Sequence, residues 1–234
     1  MDLKEEEILG GDIGRHWYYR SKAAALECLS RRLVVRTILD VGAGSGFFSR
    51  YLLARTSAST AFCVDIGYAG DRDDNEAGKL IFFRRDIGMT HCDLVLMMDV
   101  LEHVDDDVGL VRHYAGKVPS GAYFLATVPA FQFLWSGHDV FLEHKRRYRL
   151  PDIENTMREA GLQVAAGAYY FGFIFPLAAI VRLASRDTAR PRSGLSRHSA
   201  IVNSVLTAIC AAELPLFRAN RLAGLTAFVL ARKP

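Results

Sequence analysis

Three glycines at alternate positions, directly after a short apolar segment, constrain the fold of this chain more than any other feature. Residues 38–48 read ILDVGAGSGFF, with glycines at Gly42, Gly44 and Gly46. Glycine lets the backbone turn sharply and approach a ligand closely without a side-chain clash. Nineteen positions after the last glycine, a second apolar segment ends at Asp65, a carboxylate suited to two ribose hydroxyls. These segments predict adjacent strands that bind a nucleoside-bearing cofactor.

The spacing of the glycines indicates which cofactor is bound. Dinucleotide-binding loops follow the pattern G-x-G-x-x-G, in which a helix N-terminus faces a pyrophosphate. Phe47 occupies the position of the third glycine in that pattern, which argues against a nicotinamide-dependent oxidoreductase. The segment from Asp40 to Gly46 has the form D-x-G-x-G-x-G and carries no basic residue for a phosphate. It resembles motif I of the class I S-adenosylmethionine-dependent methyltransferases.

Bulk properties narrow the class of protein further. The 234 residues suffice for one large domain with a full core, and a net charge of +3 does not indicate a nucleic-acid partner. The four cysteines are scattered, which is typical of free thiols in a reducing compartment. Residues 1–7 are acidic and polar, unlike a signal peptide. We therefore expect a single cytoplasmic domain over residues 1–234.

Strand-like and helix-like segments alternate along most of the chain. Strands are predicted near 37–41, 60–65, 80–84, 93–98, 121–128, 162–170 and 225–230, and helices near 46–55, 105–117 and 151–160. Such alternation predicts an α/β fold with an open, mostly parallel sheet and helices on both faces. The resemblance implies a Rossmann-like methyltransferase sheet whose last strand is antiparallel. Residues 1–36 favour helix, and we expect them to cover the cofactor.

About fifty residues, 173–222, separate the last two predicted strands. Residues 164–181 carry no charge, which approaches the length of a membrane span. Two glycines and a proline interrupt this run, and its first third is needed as a strand, so we expect an inserted helical hairpin with an apolar face. A lid, a dimer contact or plain core would explain that face. Alternatively it contacts a lipid-like acceptor or a membrane surface, with the basic segment 182–198 facing anionic headgroups.

Further segments extend the resemblance to roughly residues 14–172 and the last strand, within the broad group that includes the ubiquinone-biosynthesis O-methyltransferases. Residues 16–20, HWYYR, are similar to a signature that closes over the cofactor, and segment 98–104 is similar to one that borders its methionine part. The resemblance implies S-adenosyl-L-methionine as the cofactor and assigns it these residues: Arg20, Asp40, Gly42, Ala43, Gly44, Gly46, Asp65, Ile66, Asp86, Ile87 and Asp99.

Two of these residues also have simpler interpretations. Asp40 could hydrogen-bond the backbone of the loop and hold its shape without touching the cofactor. Asp86, which the resemblance puts near the adenine amino group, could be a solvated turn residue, since turns favour aspartate. The sequence leaves both alternatives open.

Three histidines are candidates for the catalytic base: His103, His138 and His144. Histidine has the pKa range that suits removal of a proton from a hydroxyl acceptor. His103 could equally cap or pair with the acidic residues around it, among them Glu102. The sequence does not choose among the three, and an amine or carbon acceptor needs no base.

The segment 128–148 is the most distinctive region outside the cofactor motifs. It follows the fifth predicted parallel strand, at the sheet edge where open α/β sheets bind ligands, and it combines histidines, aromatic residues and a basic triplet. A related set of bacterial methyltransferases carries a similar His-Asp…His-x-Arg-Arg-Tyr pattern. We expect acceptor contacts from Phe131, Trp135, Arg146, Arg147 and Tyr148, where arginine could hold an anionic group bidentately. A solvated, salt-bridged loop is the alternative.

A metal site is the less favoured interpretation of the same residues. His138, Asp139 and His144, with Glu102 or His103, could form a nitrogen and oxygen site. They lack the helix-fixed spacing of recognised metal motifs, so we expect no metal.

Taken together, the sequence predicts a class I methyltransferase that uses S-adenosyl-L-methionine. Its acceptor is expected to be a small or lipid-linked molecule, with an anionic part as one option, rather than nucleic acid. Oxygen is the simplest accepting atom, with nitrogen or carbon as alternatives. The rival hypotheses are a nicotinamide-dependent oxidoreductase and a non-catalytic cofactor-binding relative. Oligomeric state is not indicated.

Overall fold

A computed structural model describes residues 10–184 and 199–234 of the chain. Two segments on which expectations rested lie outside these ranges: the acidic residues 1–7 and most of the basic segment 182–198. No helix among the described residues has the length and apolar character needed to cross a membrane.

Eight strands form one mixed sheet. They are β1 (Thr37–Val41), β2 (Thr60–Val64), β3 (Arg72–Glu76), β4 (Lys79–Arg84), β5 (Leu94–Met98), β6 (Tyr123–Pro129), β7 (Gln163–Tyr170) and β8 (Thr226–Arg232). Their order across the sheet is β3-β4-β2-β1-β5-β6-β8-β7. Strands β4, β2, β1, β5 and β6, consecutive in this order, pair in parallel. Strand β8 lies between β6 and β7 and is antiparallel to both. The predicted Rossmann-like sheet with an antiparallel last strand is confirmed.

Seven α-helices are present in the described ranges. They are α1 (Trp17–Ser30), α2 (Phe47–Arg55), α3 (Asp107–Lys117), α4 (Gly137–Phe141), α5 (Leu150–Glu159), α6 (Phe175–Ala184) and α7 (Ala200–Glu213). Helices α1, α2 and α7 contribute to a core on one face of the sheet, and α3 and α5 contribute to a core on the other. The expected cover on both faces is therefore present.

Side chains of the central strands alternate between the two faces of the sheet, so these strands contribute to both cores. In β1, Ile38 packs into the core under α1 and α2, whereas Leu39 packs into the core under α3 and α5. All five residues of β5 are buried, as a strand covered on both faces requires. The parallel arrangement brings the carboxyl ends of β1, β2, β4, β5 and β6 to one edge of the sheet, where ligands bind in such folds.

Strand β3 is the strand that the sequence did not predict. Its sequence, RDDNE, has no apolar residue and is almost fully exposed. It pairs antiparallel with β4 through a turn at Ala77 and Gly78, both of which have positive φ. A charged edge strand leaves no apolar alternation to detect, and its charges discourage pairing with another chain.

The segment between β7 and β8 contains α6, α7 and a short 3₁₀ helix at Phe217–Ala219. Helix α7 packs against α1, and Asn203 joins the two: its Oδ1 accepts from the Trp17 backbone N–H at 2.7 Å, and its Nδ2 donates to the Arg15 carbonyl at 2.9 Å. Helix α6 contains no buried residue. The insertion therefore contacts the N-terminal helix, and some of its side chains lie beside the ends of β5 and β6.

Candidate active site

The glycine loop joins β1 to α2 at the carboxyl edge of the sheet. Gly42, Gly44 and Gly46 all have positive φ, between 53° and 74°, a conformation that side chains disfavour. The backbone N–H of Gly44 donates to Asp65 Oδ2 at 3.1 Å, and the N–H of Gly67 donates to Asp65 Oδ1 at 2.8 Å. Asp65 therefore ties the loop to the end of β2, and Ile66 beside it is exposed.

Asp40 lies beneath the loop, where its carboxyl is buried and accepts a 2.8 Å hydrogen bond from the Ser49 hydroxyl of α2. Burial raises the pKa of Asp40 to about 6, although the Ser49 hydrogen bond opposes the shift. The contacts of Asp40 thus connect β1 to the helix that follows the loop. Ala43, within the loop, is also buried.

Asp86 and Ile87 follow β4 at the same edge. Asp86 is exposed and accepts a 3.0 Å hydrogen bond from Lys117, which lowers the pKa of the carboxyl. Lys117 also donates to the Ile87 carbonyl at 2.5 Å. The ion pair fixes the loop after β4 against the end of α3, so these residues lie at the carboxyl edge of the sheet.

A buried lysine meets Asp99 at the end of β5. The Lys22 side chain is fully buried in α1 and forms an ion pair with Asp99 and a hydrogen bond with the Tyr18 hydroxyl. Burial opposes the charge on Lys22, but the Asp99 carboxylate outweighs it and raises the lysine pKa. Asp99 has a φ of 55°, so its backbone is in the left-handed region. The pair links α1 to the carboxyl end of β5.

Arg20 lies on the opposite side of α1 from this ion pair. It lines a separate cavity of about 350 Å³ together with Gly14, Phe47 and Thr207. Phe47 is the first residue after the glycine loop, so Arg20 remains next to the end of that loop. The sequence-predicted contact between Arg20 and the cofactor carboxylate stays a prediction.

A second cavity, also of about 350 Å³, opens at the ends of β5 and β6. Its walls are mainly apolar side chains from α1, from segment 128–148 and from the insertion, including Trp17, Leu142, Ile174, Leu177 and Leu206. Polar side chains line the other part: Asp99, Glu102, His103, His138, His144, Arg147 and Arg182. An apolar cavity with a few convergent polar groups is typical of a small-molecule site.

Asp139 organises the polar part of this cavity. It is fully buried and accepts from Arg147 Nε at 2.7 Å and Nη2 at 2.9 Å, a bidentate ion pair. Its Oδ1 lies 3.0 Å from His144 Nδ1, and its Oδ2 accepts from the Ser136 backbone N–H at 2.9 Å. Burial opposes ionisation, but these hydrogen bonds and the Arg147 charge lower the pKa of Asp139. One carboxylate therefore fixes α4, Arg147 and the His144 ring.

Glu102, His103 and His144 converge at the edge of the cavity. One ligand-type atom from each of the three lies within 4.8 Å of the others, and the rings of His103 and His144 meet edge to face with centroids 4.8 Å apart. Glu102 is fully buried, and neither of its carboxylate oxygens has a hydrogen-bond partner among the described residues. Burial, with the nearby Asp99, raises the pKa of Glu102 well above its usual range.

His138 and Arg182 face the same cavity. Burial, followed by the charge of Arg182, lowers the pKa of His138 to about 4, so this imidazole is neutral and weakly basic at neutral pH. Burial and the charge of Arg147 lower the pKa of Arg182 to about 10. Its Nη1 donates a long hydrogen bond of 3.4 Å to the Leu134 carbonyl. Two guanidinium groups thus share this side of the cavity with one buried carboxylate.

The other residues predicted to contact the acceptor have partners within the protein. Phe131, at a φ of 59°, stacks on Tyr169 with ring centroids 5.0 Å apart. Arg146 Nη2 donates to the Asp105 carbonyl at 2.8 Å, and the buried Tyr148 hydroxyl lies 2.9 Å from Asp107 Oδ2. Trp135 is half-buried, and among the described residues the tryptophan that lines the cavity is Trp17.

Sequence reasoning missed Lys22, Arg182 and the central role of Asp139. Lys22 could have been found from the sequence, because a lysine in the helix predicted to cover the cofactor is a suitable ion-pair partner for Asp99. Arg182 gave none, because a helical insertion has no fixed register against the sheet. Asp139 lies in the His-Asp…His-x-Arg-Arg pattern, whose spacing allows the acid to bind both the histidine and the second arginine.

Comparisons with known proteins identify the family and agree with the fold. The family model described as "Methyltransferase domain" matches residues 15–166. The fold is similar to a chain of the Haloferax volcanii complex between the Trm112 methyltransferase activator and a methyltransferase, with a TM-score of 0.56 and 17% identity over 92% of this chain and 91% of that one. A search of curated proteins finds no match.

Two further solved structures illustrate the range of acceptors on this fold. One is an O-methyltransferase family protein from Burkholderia thailandensis, with a TM-score of 0.53 and 15% identity over 92% of this chain and 55% of that one. The other is the N-methyltransferase NodS from Bradyrhizobium japonicum with S-adenosyl-L-homocysteine, with a TM-score of 0.53 and 10% identity over 93% and 88%. Identities this low show the fold alone. The family model, which matches more than half of the sequence, shows that the chain belongs to the class I S-adenosylmethionine-dependent methyltransferases.

Proposed function

We propose that this protein transfers the methyl group of S-adenosyl-L-methionine to a hydroxyl oxygen of an apolar, lipid-linked acceptor that carries an anionic group. The observation that carries this proposal is the cavity at the ends of β5 and β6, which combines an apolar wall with Glu102, His103, His144 and two arginines. An apolar wall favours an apolar acceptor, and the polar side chains can bind a hydroxyl group and accept its proton.

For the cofactor, we propose that the glycine loop and Asp65 bind the nucleoside part, with Ile66, Asp86 and Ile87 near the adenine. Both Asp65 oxygens already accept backbone N–H groups, which holds the carboxylate in one orientation towards a ribose. Asp40 then acts indirectly, because its contact with Ser49 holds β1 to α2, the two elements that flank the loop. Asp99 and Arg20 contact the methionine part of the cofactor, and the ion pair with Lys22 holds the Asp99 carboxylate in place.

For the acceptor, we propose that its anionic group lies beside Arg147 and Arg182. Arg147 is committed to Asp139, whereas the hydrogen bond that Arg182 makes within the described part of the chain is the long contact with the Leu134 carbonyl. A desolvated guanidinium in this position favours an anion such as a phosphate or carboxylate. Phe131, Trp135, Arg146 and Tyr148 then shape the loop around the acceptor site.

We further propose that the insertion meets a membrane surface peripherally from the cytoplasmic side. Several apolar side chains of its helices are exposed: Leu177, Ile180, Val181, Leu183, Ile201 and Val205. The sequence between the two helices, residues 185–199, contains four arginines and one aspartate. Apolar side chains beside basic residues favour an anionic lipid surface, and no nucleic-acid partner is proposed.

The chemistry is an in-line displacement. The acceptor oxygen forms a bond to the methyl carbon as the carbon–sulfur bond breaks, and the sulfur keeps the electron pair as neutral S-adenosylhomocysteine. Alignment of the two reactants is the main contribution of the protein. Because a hydroxyl must also lose its proton, we propose that the cluster of Glu102, His103 and His144 activates it. His138, with a pKa of about 4, is a weaker proton acceptor at neutral pH.

The proposal is tested by methyl transfer from labelled S-adenosyl-L-methionine into an extract of the source cells, split into organic and aqueous phases. Enzyme-dependent label in the organic phase, lost in Asp65→Ala and retained in the exposed control Asp71→Ala, supports a lipid-linked acceptor. Label confined to the aqueous phase refutes that part. If S-adenosylhomocysteine raises the melting temperature but no label is transferred, the chain is a non-catalytic relative.

A further inference from the structure

The cluster of Glu102, His103 and His144 has the composition of a metal site. Two imidazoles and one carboxylate are the donor set that borderline divalent cations such as Zn²⁺ prefer. Their ligand-type atoms lie within 4.8 Å of one another. In a tetrahedral zinc site with bonds of about 2.0 to 2.1 Å, neighbouring ligand atoms are about 3.4 Å apart. Side-chain movements of about 1 Å, within the reach of one rotamer well, would therefore complete the site.

Glu102 points to a cationic partner independently of the histidines. Its side chain is fully buried, and both carboxylate oxygens lack a hydrogen-bond partner among the described residues. A buried carboxyl group without partners is costly. The ammonium of Lys22, the nearest buried cation of α1, is already committed to Asp99. A bound cation would satisfy the Glu102 oxygens where the described side chains do not.

His144 has the support that metal-binding histidines usually have. Its Nδ1 lies 3.0 Å from Asp139 Oδ1, which leaves Nε2 as the ligand atom. Asp139 is in turn fixed by the bidentate ion pair with Arg147. A carboxylate behind the imidazole fixes the tautomer and orientation of a metal ligand and increases its basicity. The segment 139–147 thus supplies one ligand together with its supporting groups.

We propose that Glu102, His103 and His144 bind one divalent cation of the zinc class, with its remaining coordination positions open to the cavity. This proposal rests on the proposed methyl transfer and specifies how the acceptor is activated. The acceptor hydroxyl coordinates the cation and loses its proton to water. The resulting alkoxide then forms the oxygen–methyl bond while the methyl–sulfur bond breaks and sulfur takes the electron pair.

Cobalt(II) is the probe that tests the site directly, because its visible spectrum reports nitrogen and oxygen ligands. Untagged protein is stripped with EDTA, dialysed and titrated with Co²⁺. We expect one equivalent to bind, Zn²⁺ to displace it, and Glu102→Gln and His144→Ala to weaken binding by about 100-fold. The matched control is His91→Ala, since His91 is exposed and lies outside the cluster. Its binding is expected to equal that of the wild type.

Three results overturn the proposal: no saturable Co²⁺ binding, equal binding by wild type and Glu102→Gln, or methyl transfer at an unchanged rate in EDTA. Calorimetry of S-adenosylhomocysteine binding in EDTA shows whether each variant is folded. The same measurement distinguishes failure of the metal site from failure of the proposed function. Protein that binds S-adenosylhomocysteine and transfers methyl without a cation refutes only the metal site. Protein that binds Co²⁺ in the cluster but transfers no methyl to any extract refutes the function.

Discussion

Replacing Asp40 with asparagine changes a carboxyl group inside the core without removing its hydrogen bond. Burial raises the pKa of Asp40 from 3.8 to about 6, even though Ser49 donates to its Oδ2 at 2.8 Å. An acid whose pKa is higher in the folded state stabilises the protein while it is protonated. This stabilisation is complete below about pH 3.8 and is lost as the pH rises through about 6.

The size of the effect follows from the difference between the two pKa values. One pKa unit corresponds to about 1.36 kcal/mol, so Asp40 lowers the free energy of unfolding by about 3 kcal/mol once it is fully ionised. About 2 kcal/mol of this loss falls between about pH 4.5 and about pH 7.5. Asparagine keeps an oxygen that accepts from Ser49 and cannot ionise, so the variant is expected to escape the loss.

Urea unfolding of both proteins at pH 4.5, 6 and 7.5 measures this difference. We expect the free energy of unfolding of Asp40→Asn, relative to the wild type, to rise with pH by about 2 kcal/mol across that range. The control is Asp74→Asn, an exposed acid whose pKa is lowered by its hydrogen bond with Arg50. Its relative stability is expected to stay nearly constant across that range, because a carboxyl group with a lowered pKa is already ionised in both the folded and the unfolded protein above about pH 4.5. A pH-independent difference for Asp40→Asn would refute the reasoning.

Two further predictions concern cofactor binding and the loop at the acceptor cavity. Asp65→Ala is expected to weaken S-adenosylhomocysteine binding by about 100-fold, because it removes charged hydrogen bonds of about 1.5 to 3 kcal/mol. His103→Ala is expected to change this binding by less than about 3-fold. Equal effects of the two variants in calorimetry would contradict the assignment of Asp65 to the cofactor. Arg147→Met is expected to lower the free energy of unfolding by about 3 to 5 kcal/mol, because it removes the bidentate ion-pair partner of a buried carboxylate. Denaturation that matches the wild type would count against this prediction.

The fold could be predicted from the sequence where local pattern and tertiary structure agree. The strand before Gly42 and the five buried residues of β5 are apolar runs with clear turn signals, and both elements lie where they were predicted. Strand β3 was missed because its sequence RDDNE takes its strand conformation only from pairing with β4. Pairing at a solvent-exposed edge leaves no hydrophobic pattern in the sequence.

The acceptor side could be predicted only in part. The histidines and arginines of segment 128–148 were recognised as a group, but their roles depend on which side chains become buried. Arg147 is 2% exposed and pairs with Asp139, whereas Arg146 is 37% exposed and binds backbone carbonyls. Adjacent residues of the same type thus take different roles, and burial, which decides between them, is set by the tertiary packing of the loop.

The bridge through Asn203 has a consequence for the exchange of specificity between related enzymes. Because this side chain bonds the backbone at Arg15 and Trp17, the insertion that lines the cavity at the ends of β5 and β6 and the helix that carries Lys22 form one mechanical unit. A chimera that transplants the insertion alone would separate that unit. Acceptor preference in this architecture is therefore expected to transfer between scaffolds only when the N-terminal helix moves with the insertion.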